Sequence, residues 1–259
     1  MIATRRAFVS GAAAAACVLA VQGAIPGAGA KSASAKGKGR KARKMVKKTV
    51  FAKGAWEPSE WMNVKSSRWD YVHGFEQQAD HVVNECGPWS DEELYSKHVT
   101  EVYSSMVLKE KFKGKCRVSS TMSFDHLMAP LIVVAPEMGK SAKGEVEFRR
   151  HHEIVLYNEG INIWRYDWVD GKAVWVLAAF LRARFDAKRK YELAVTVESY
   201  KNTRRMTVEC GGHVLGYSDD ALTLDNYVGI TGCEGRNRFY DFTVETDLPA
   251  HDDASDGEH

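Results

Sequence analysis

The chain has 259 residues, 36 basic against 34 acidic side chains, and a formal net charge of +2. Hydrophobic residues make up 44% of it, enough for one well-cored domain and too many for a disordered chain. The near-neutral total hides a basic stretch early and an acidic one late, but no concentrated basic patch lies between them, which argues against nucleic acid as a partner.

Thr4-Arg5-Arg6-Ala7-Phe8-Val9 matches the twin-arginine pattern of bacterial export signals. An apolar run from Gly11 to Val21 follows, then small residues at Ala28-Gly29-Ala30 that suit a signal peptidase. That run is shorter than the about 20 residues of a membrane span, so no stable membrane insertion is expected after cleavage. Residues 1–30 therefore read as a signal peptide, the mature chain is expected to begin at Lys31 or Lys36, and the expected location is periplasmic or secreted. Residues 31–48 read as a basic, solvated linker and 247–259 as an acidic tail, because neither has the apolar residues to offset ordering entropy.

Residues 49–246 are almost wholly strand-like. Strands are predicted near Lys48–Ala55, Glu101–Leu108, Lys115–Ser123, Leu131–Ala135, Glu145–Arg149 and Glu153–Asn158. Further strands follow near Ile161–Trp168, Ala173–Ala179, Lys190–Ser199, Arg205–Glu209, Tyr227–Thr231 and Arg238–Glu245. Tyr157-Asn158-Glu159-Gly160-Ile161 and Val169-Asp170-Gly171-Lys172 read as hairpin turns. Ser90-Asp91-Glu92-Glu93 has the pattern of a capping box. Many short strands without βαβ alternation predict an all-β, two-sheet sandwich of the jelly-roll type. Between residues 56 and 98 the pattern is irregular but aromatic, with Trp56, Trp61, Trp69, Tyr71, His73 and Trp89; these rings either line a groove or seal the sandwich edge.

After the signal, Cys86, Cys116, Cys210 and Cys233 allow three disulfide pairings or buried thiols. No Cys-x-x-Cys spacing, phosphate loop, dinucleotide fingerprint or Ser-His-Asp motif is present, so the sequence assigns no metal site and names no cofactor.

The segment from Glu145 to Trp168 is the most site-like. Strand alternation puts Asn162, Trp164, Tyr166 and Trp168 on one face, with Ile161, Ile163, Arg165 and Asp167 on the other. A row of rings with one amide suits a sugar, whose C–H faces stack while its hydroxyls seek polar partners; it equally suits a packed core. His151, His152 and Glu153 crowd an otherwise aliphatic strand, and buried charge is costly unless paired. Glu153 and His152 are the candidates for acid/base work, Arg165 for an anion clamp, and Asn162, Trp164, Tyr166 and Trp168 for substrate binding. Glu145 and Glu147 share a strand face with Cα atoms about 6.6 Å apart at strand rise, a spacing that permits the paired carboxylates of a retaining glycosidase and is also common on exposed strands.

The closing phrase Tyr227-Val-Gly-Ile-Thr-Gly-Cys-Glu-Gly-Arg-Asn-Arg-Phe-Tyr-Asp-Phe-Thr-Val244 resembles the last strands of concanavalin A-like lectin/glucanase domains. With His151-His-Glu-Ile-Val-Leu-Tyr157 and Gly160-Ile-Asn-Ile-Trp-Arg165 it resembles the YesU-type domain of unassigned function and, more distantly, 3-keto-disaccharide hydrolase domains. The likeness covers roughly residues 100 to 246. It implies a concanavalin A-like sandwich and a glycan or oligosaccharide partner. The glucanase pattern Glu-x-Asp-x-x-Glu is replaced by Glu145-x-Glu147-x-x-Arg150, so that catalytic set is absent as written. Three expectations stand side by side: an exported hydrolase or lyase acting in a concave groove, a non-catalytic glycan-binding module, and a structural envelope protein.

Overall fold

A computed structural model describes residues 43–85, 90–93, 102–125 and 129–248. The expected signal, most of the linker and tail, Cys86, Trp89, His98 and His126 lie outside the described residues. In chain order the strands are β1 (Arg43–Val50), β2 (Trp61–Asn63), β3 (Phe75–Gln77), β4 (Val82–Asn84), β5 (Tyr103–Leu108) and β6 (Phe112–Lys113). Then come β7 (Cys116–Phe124), β8 (Pro130–Lys140), β9 (Val146–Tyr157), β10 (Gly160–Val169), β11 (Lys172–Arg182) and β12 (Tyr191–Tyr200). The last are β13 (Thr203–Cys210), β14 (His213–Ser218), β15 (Asp225–Cys233), β16 (Asn237–Phe239) and β17 (Asp241–Leu248).

They form two antiparallel sheets, as the alternation predicts. A nine-stranded sheet runs β14-β13-β12-β7-β16-β4-β3, with β17 beside β7 and β1 beside β17. An eight-stranded sheet runs β11-β10-β9-β8-β15-β5-β2, with β6 beside β15. Period-two side chains fill the space between them: Ile132, Val134, Ile154, Leu156, Ile161 and Ile163 meet Val118, Met122, Leu193, Val195 and Val197 in one buried core. The opposite face of the eight-stranded sheet is not solvated in the usual way. Val107, Leu131, Val133, Phe148 and Val155 form a second buried cluster there with Val64 and Tyr103. Covered on both sides, β8 carries the unbroken run Leu131-Ile-Val-Val-Ala135 rather than an alternating one.

The predicted strands Glu145–Arg149 and Glu153–Asn158 are one strand, β9. Its register against β8 shifts around Glu137, and a bulge of this kind lets one strand carry two side-chain phases. The linker also ends earlier than composition suggests. Arg43–Lys48 belongs to β1, where Met45 packs on the core while Lys44 and Lys48 face out, and Asp247 and Leu248 belong to its partner β17. Ser90 and Glu93 form the reciprocal capping box, each side chain accepting from the other's backbone N–H at 3.2 and 2.9 Å. Cys116, Cys210 and Cys233 are buried free thiols. Among the described residues no helix is long and apolar enough to cross a membrane.

Both predicted hairpins form. Asp170 and Gly171 turn between β10 and β11 with positive φ of 49° and 74°, the two-residue turn that matches strand twist. Gly160 opens β10 at φ 155°, and a Cβ there would lie 2.1 Å from the Leu181 carbonyl oxygen. We predict that Gly160→Ala costs about 2–4 kcal/mol, because backbone rather than a flexible side chain must yield. Gly171→Ala, with open space around it, should cost about 1 kcal/mol. Urea unfolding of the two variants checks the order; equal losses would mean the β9–β10 turn relaxes freely.

Candidate functional site

The register of β9 and β10 sets Asn162 opposite Val155, Trp164 opposite Glu153 and Tyr166 opposite His151. Because Ile161 and Ile163 enter the core, these side chains lie on the outer face of the sheet. On the other side β11 brings Phe180 opposite Asn162, Leu177 opposite Trp164 and Trp175 opposite Tyr166, across a register shift at Ala178. The predicted aromatic face therefore exists, and β11 widens it. Trp164 and Trp168 are half-buried, while Trp175, Leu177 and Phe180 are 40%, 46% and 56% exposed.

These rings are braced. Phe148, His151, Tyr166 and Trp175 form a ladder across β9, β10 and β11, with centroids 4.5, 4.3 and 6.1 Å apart. Tyr166 is its buried middle rung, so it supports Trp175 rather than presenting its own ring. The Arg149 guanidinium lies 3.9 Å over the Trp168 ring, and Asn162 bonds to the Tyr157 side chain.

Beside this row, on the same outer face, sits a buried polar cluster covered by the segment from Val64 to His73. Arg68 donates to the Tyr166 hydroxyl at 3.1 Å and lies 5.5 and 5.6 Å from the Trp69 and Trp175 ring centres. Tyr103 donates to Glu153 Oε1 at 2.9 Å, and His151 Nε2 is 3.4 Å from the same oxygen. Burial works to raise the Glu153 carboxyl. The His151 bond, the His151 and Arg68 charges and the Tyr103 hydroxyl outweigh it and hold Glu153 below the ordinary value. Glu234 behaves oppositely: burial pushes it up to about 7, with Arg68 opposing and Glu153 adding to the rise. It is 4% exposed, its Oε2 has no partner, and its φ of 60° is a strained conformation for a side-chain-bearing residue.

The other candidates are elsewhere. His152 projects from the opposite face of β9, because neighbours on a strand alternate, and its ring centre is 5.9 Å from that of Tyr217 on β14. Burial, then the His151 charge, lower it to about 4, so it is neutral. Arg165, also on the inner face, is held by Asp219 at 2.7 Å and Asp167 at 2.9 Å. Thus Glu153, His152 and Arg165 do not converge, and Arg165 instead links β10 to Asp219, just after β14. Glu147 is buried between Lys65 at 2.8 Å and Arg149 at 2.6 Å, neutralised on both sides. Of the aromatic segment, Trp56, Trp61 and Phe75 pack with the main core, whereas Trp69, Tyr71 and His73 stack in series over the outer face. Arg68, Tyr103 and Trp175 carry no sequence signal of their own, whereas Cys233 and Glu234 stand out in the sequence by their place between Gly232 and Gly235. Among the described residues no His, Cys, Asp or Glu group is arranged to hold a metal ion.

The shifted groups make stability depend on pH. Folded Glu234, near 7 against the ordinary 4.5, keeps a proton that the unfolded chain releases, so its contribution is full below about 4.5 and is lost as pH rises to about 7. His152, near 4 against the ordinary 6.5, has the opposite sign: stability is lost as pH falls from about 6.5 towards 4. The two slopes oppose each other where they overlap. We predict that Glu234→Gln gains about 2–3 kcal/mol on the unmutated protein between pH 5 and pH 8 in urea titrations, His152 being common to both. A constant difference would mean that Glu234 is ionised throughout.

No protein-family model matches the chain, and no curated protein matches it by sequence. Solved structures do. Peanut lectin superposes with a TM-score of 0.50 at 9% identity, covering 81% of this chain and 100% of the lectin. The seed lectin of Lotus tetragonolobus gives 0.50 at 8% identity, covering 80% and 100%. A Bacillus subtilis protein of unknown function with a galectin-like fold gives 0.50 at 12%, covering 79% and 96%. At such identities the likeness establishes the fold: a two-sheet, concanavalin A-like jelly-roll sandwich.

Proposed function

We propose that this protein binds glycans outside the cytoplasm, on the outer face of the eight-stranded sheet along β10 and β11. The observation that carries the reading is the row Trp164, Trp168 and Trp175, three tryptophans on one face, with Trp175 40% exposed and backed by the Tyr166 ring. A pre-braced ring gives up little side-chain entropy when a sugar stacks on it. Asn162, Tyr157 and Arg149 border the row with groups able to bond hydroxyls. Two of the similar structures are lectins by name, which supports a sugar as the partner. Export rests on the Arg5-Arg6 pattern with its apolar run.

A second reading, glycan cleavage, is favoured by one observation: Glu153 and Glu234 share Arg68 yet are pushed to opposite protonation states, as an acid and a base would be. The likeness of the closing strands to 3-keto-disaccharide hydrolase domains points the same way. In that case Glu153 would be the base and Glu234 the acid, and the segment over them would have to open; His152 would have no part on that face.

Glycan arrays followed by calorimetry test the first reading. Trp164→Ala and Trp175→Ala should each weaken binding at least about tenfold, while Trp175→Ala leaves the melting temperature within a few degrees. Tyr166→Ala should instead destabilise by about 3 kcal/mol, as a buried rung must. Undiminished binding in both Trp variants would overturn the platform. If bound glycans are also cut, Glu153→Gln and Glu234→Gln should each slow turnover at least about 100-fold; absence of cleavage would leave binding alone.

A further inference from the structure

On the side away from β11, both sheets end in a three-residue strand: β2 closes the eight-stranded sheet and β3 the nine-stranded one. Strands this short leave the sandwich open between them. A cleft of about 200 Å³ enters there, lined by Trp56, Pro58, Trp61, Asn63, Phe75 and Met106. A single 3₁₀ turn, Pro58–Glu60, separates the two tryptophans, and both pack on Phe51 with ring centres 5.9 and 5.6 Å from it. Trp61 is 5% exposed, yet the indole N–H of each tryptophan is buried and meets no acceptor among the described residues. Buried donors are ordinarily paired, so two of them on the walls of one cleft call for an acceptor from outside the chain.

We propose that this cleft is a second binding site, independent of the ring row on β10 and β11, and that it takes the acetamido group of an N-acetylated sugar. The carbonyl oxygen of that group has two lone pairs and can accept from both indole N–H groups. Its own N–H can donate to the Asn63 side-chain oxygen, and its methyl suits the apolar lining of Phe75 and Met106. A carboxylate is a poorer guest. Between Trp56 and Asn63 the charged side chains are Glu57 and Glu60, the latter already paired with Lys47 at 3.1 Å, and Glu85 accepts the Gly74 N–H. A purely apolar guest would leave both indole donors unpaired, and a bare hydroxyl brings no methyl to the lining.

Saturation-transfer NMR and titration of the full chain with N-acetylglucosamine and N-acetylgalactosamine test the site, with glucose and galactose as controls. At least one N-acetylated sugar should bind with a Kd of about 1 mM, its acetyl methyl receiving the most saturation, and its parent sugar at least about tenfold more weakly. Gly74 also lines the cleft, outside the left-handed region, and a Cβ there would meet only the Asn63 amide nitrogen, at 3.5 Å. Gly74→Val should therefore narrow the cleft, keep the melting temperature within a few degrees and weaken binding at least about tenfold. Trp56→Phe, which keeps an aromatic ring but loses one donor, should weaken it about three- to tenfold. Trp175→Ala, on the opposite edge of the sheet, should leave it unchanged. Equal affinity for the parent sugars, unaltered binding in both Gly74→Val and Trp56→Phe, or no binding up to about 20 mM would each overturn the proposal. Loss of binding in Trp175→Ala alone would move the acetamido sugar to the ring row, sinking this site while leaving the platform standing.

Discussion

Arg68 holds the outer face together. A carboxylate on a covered sheet face must be paired or protonated, because its desolvation costs several kcal/mol. Arg68 supplies positive charge to Glu153 and Glu234, bonds the Tyr166 hydroxyl and lies near the Trp69 and Trp175 rings. Its charge does not suffice for two buried acids, and the sheet divides them: Glu153, with Tyr103 and His151 as further partners, stays ionised, while Glu234 stays largely protonated until near neutral pH. The position of the segment from Val64 to His73 follows, since a guanidinium can serve these groups only from directly above the sheet.

The ring row depends on the same cluster. Trp175 stands near the open edge, but its support is Tyr166, which rests on His151, which rests on Phe148. The β9 bulge matters here: the shift in phase around Arg149 and Arg150 lets Phe148 and His151 stack although three positions apart. A flat, unbulged β9 would point Phe148 into the main core and leave the ladder short of its base.

Much of this was legible before the fold was known. The alternation from Ile161 to Trp168 correctly gives which rings share a face, and Asp170-Gly171 gives the hairpin. What was not legible depends on contacts distant in sequence. Three-residue strands such as β2, β3 and β4 are too short to show a period and exist because longer neighbours hold them. Arg43–Lys48 reads as solvated arm because its lysines hide the alternation with Met45 and the pairing with β17. The candidate group Glu153, His152 and Arg165 rests on sequence proximity, and adjacency on a strand is what separates Glu153 from His152. Arg68 sits in a loop, and Glu234 is unusual only in its burial and backbone angle.

The pairing of β1 with β17, Arg43 beside Leu248, has a kinetic meaning. These strands are separated by nearly the whole described chain, and such long-range closure is among the slowest steps in assembling a sheet. β1 can find its place only after β17, at the far end of the described residues, has been made. Docking of that strand therefore reports that the far end of the polypeptide is in place. Truncated or stalled polypeptides would leave it loose, and its lysines would keep such unfinished chains from adhering to one another.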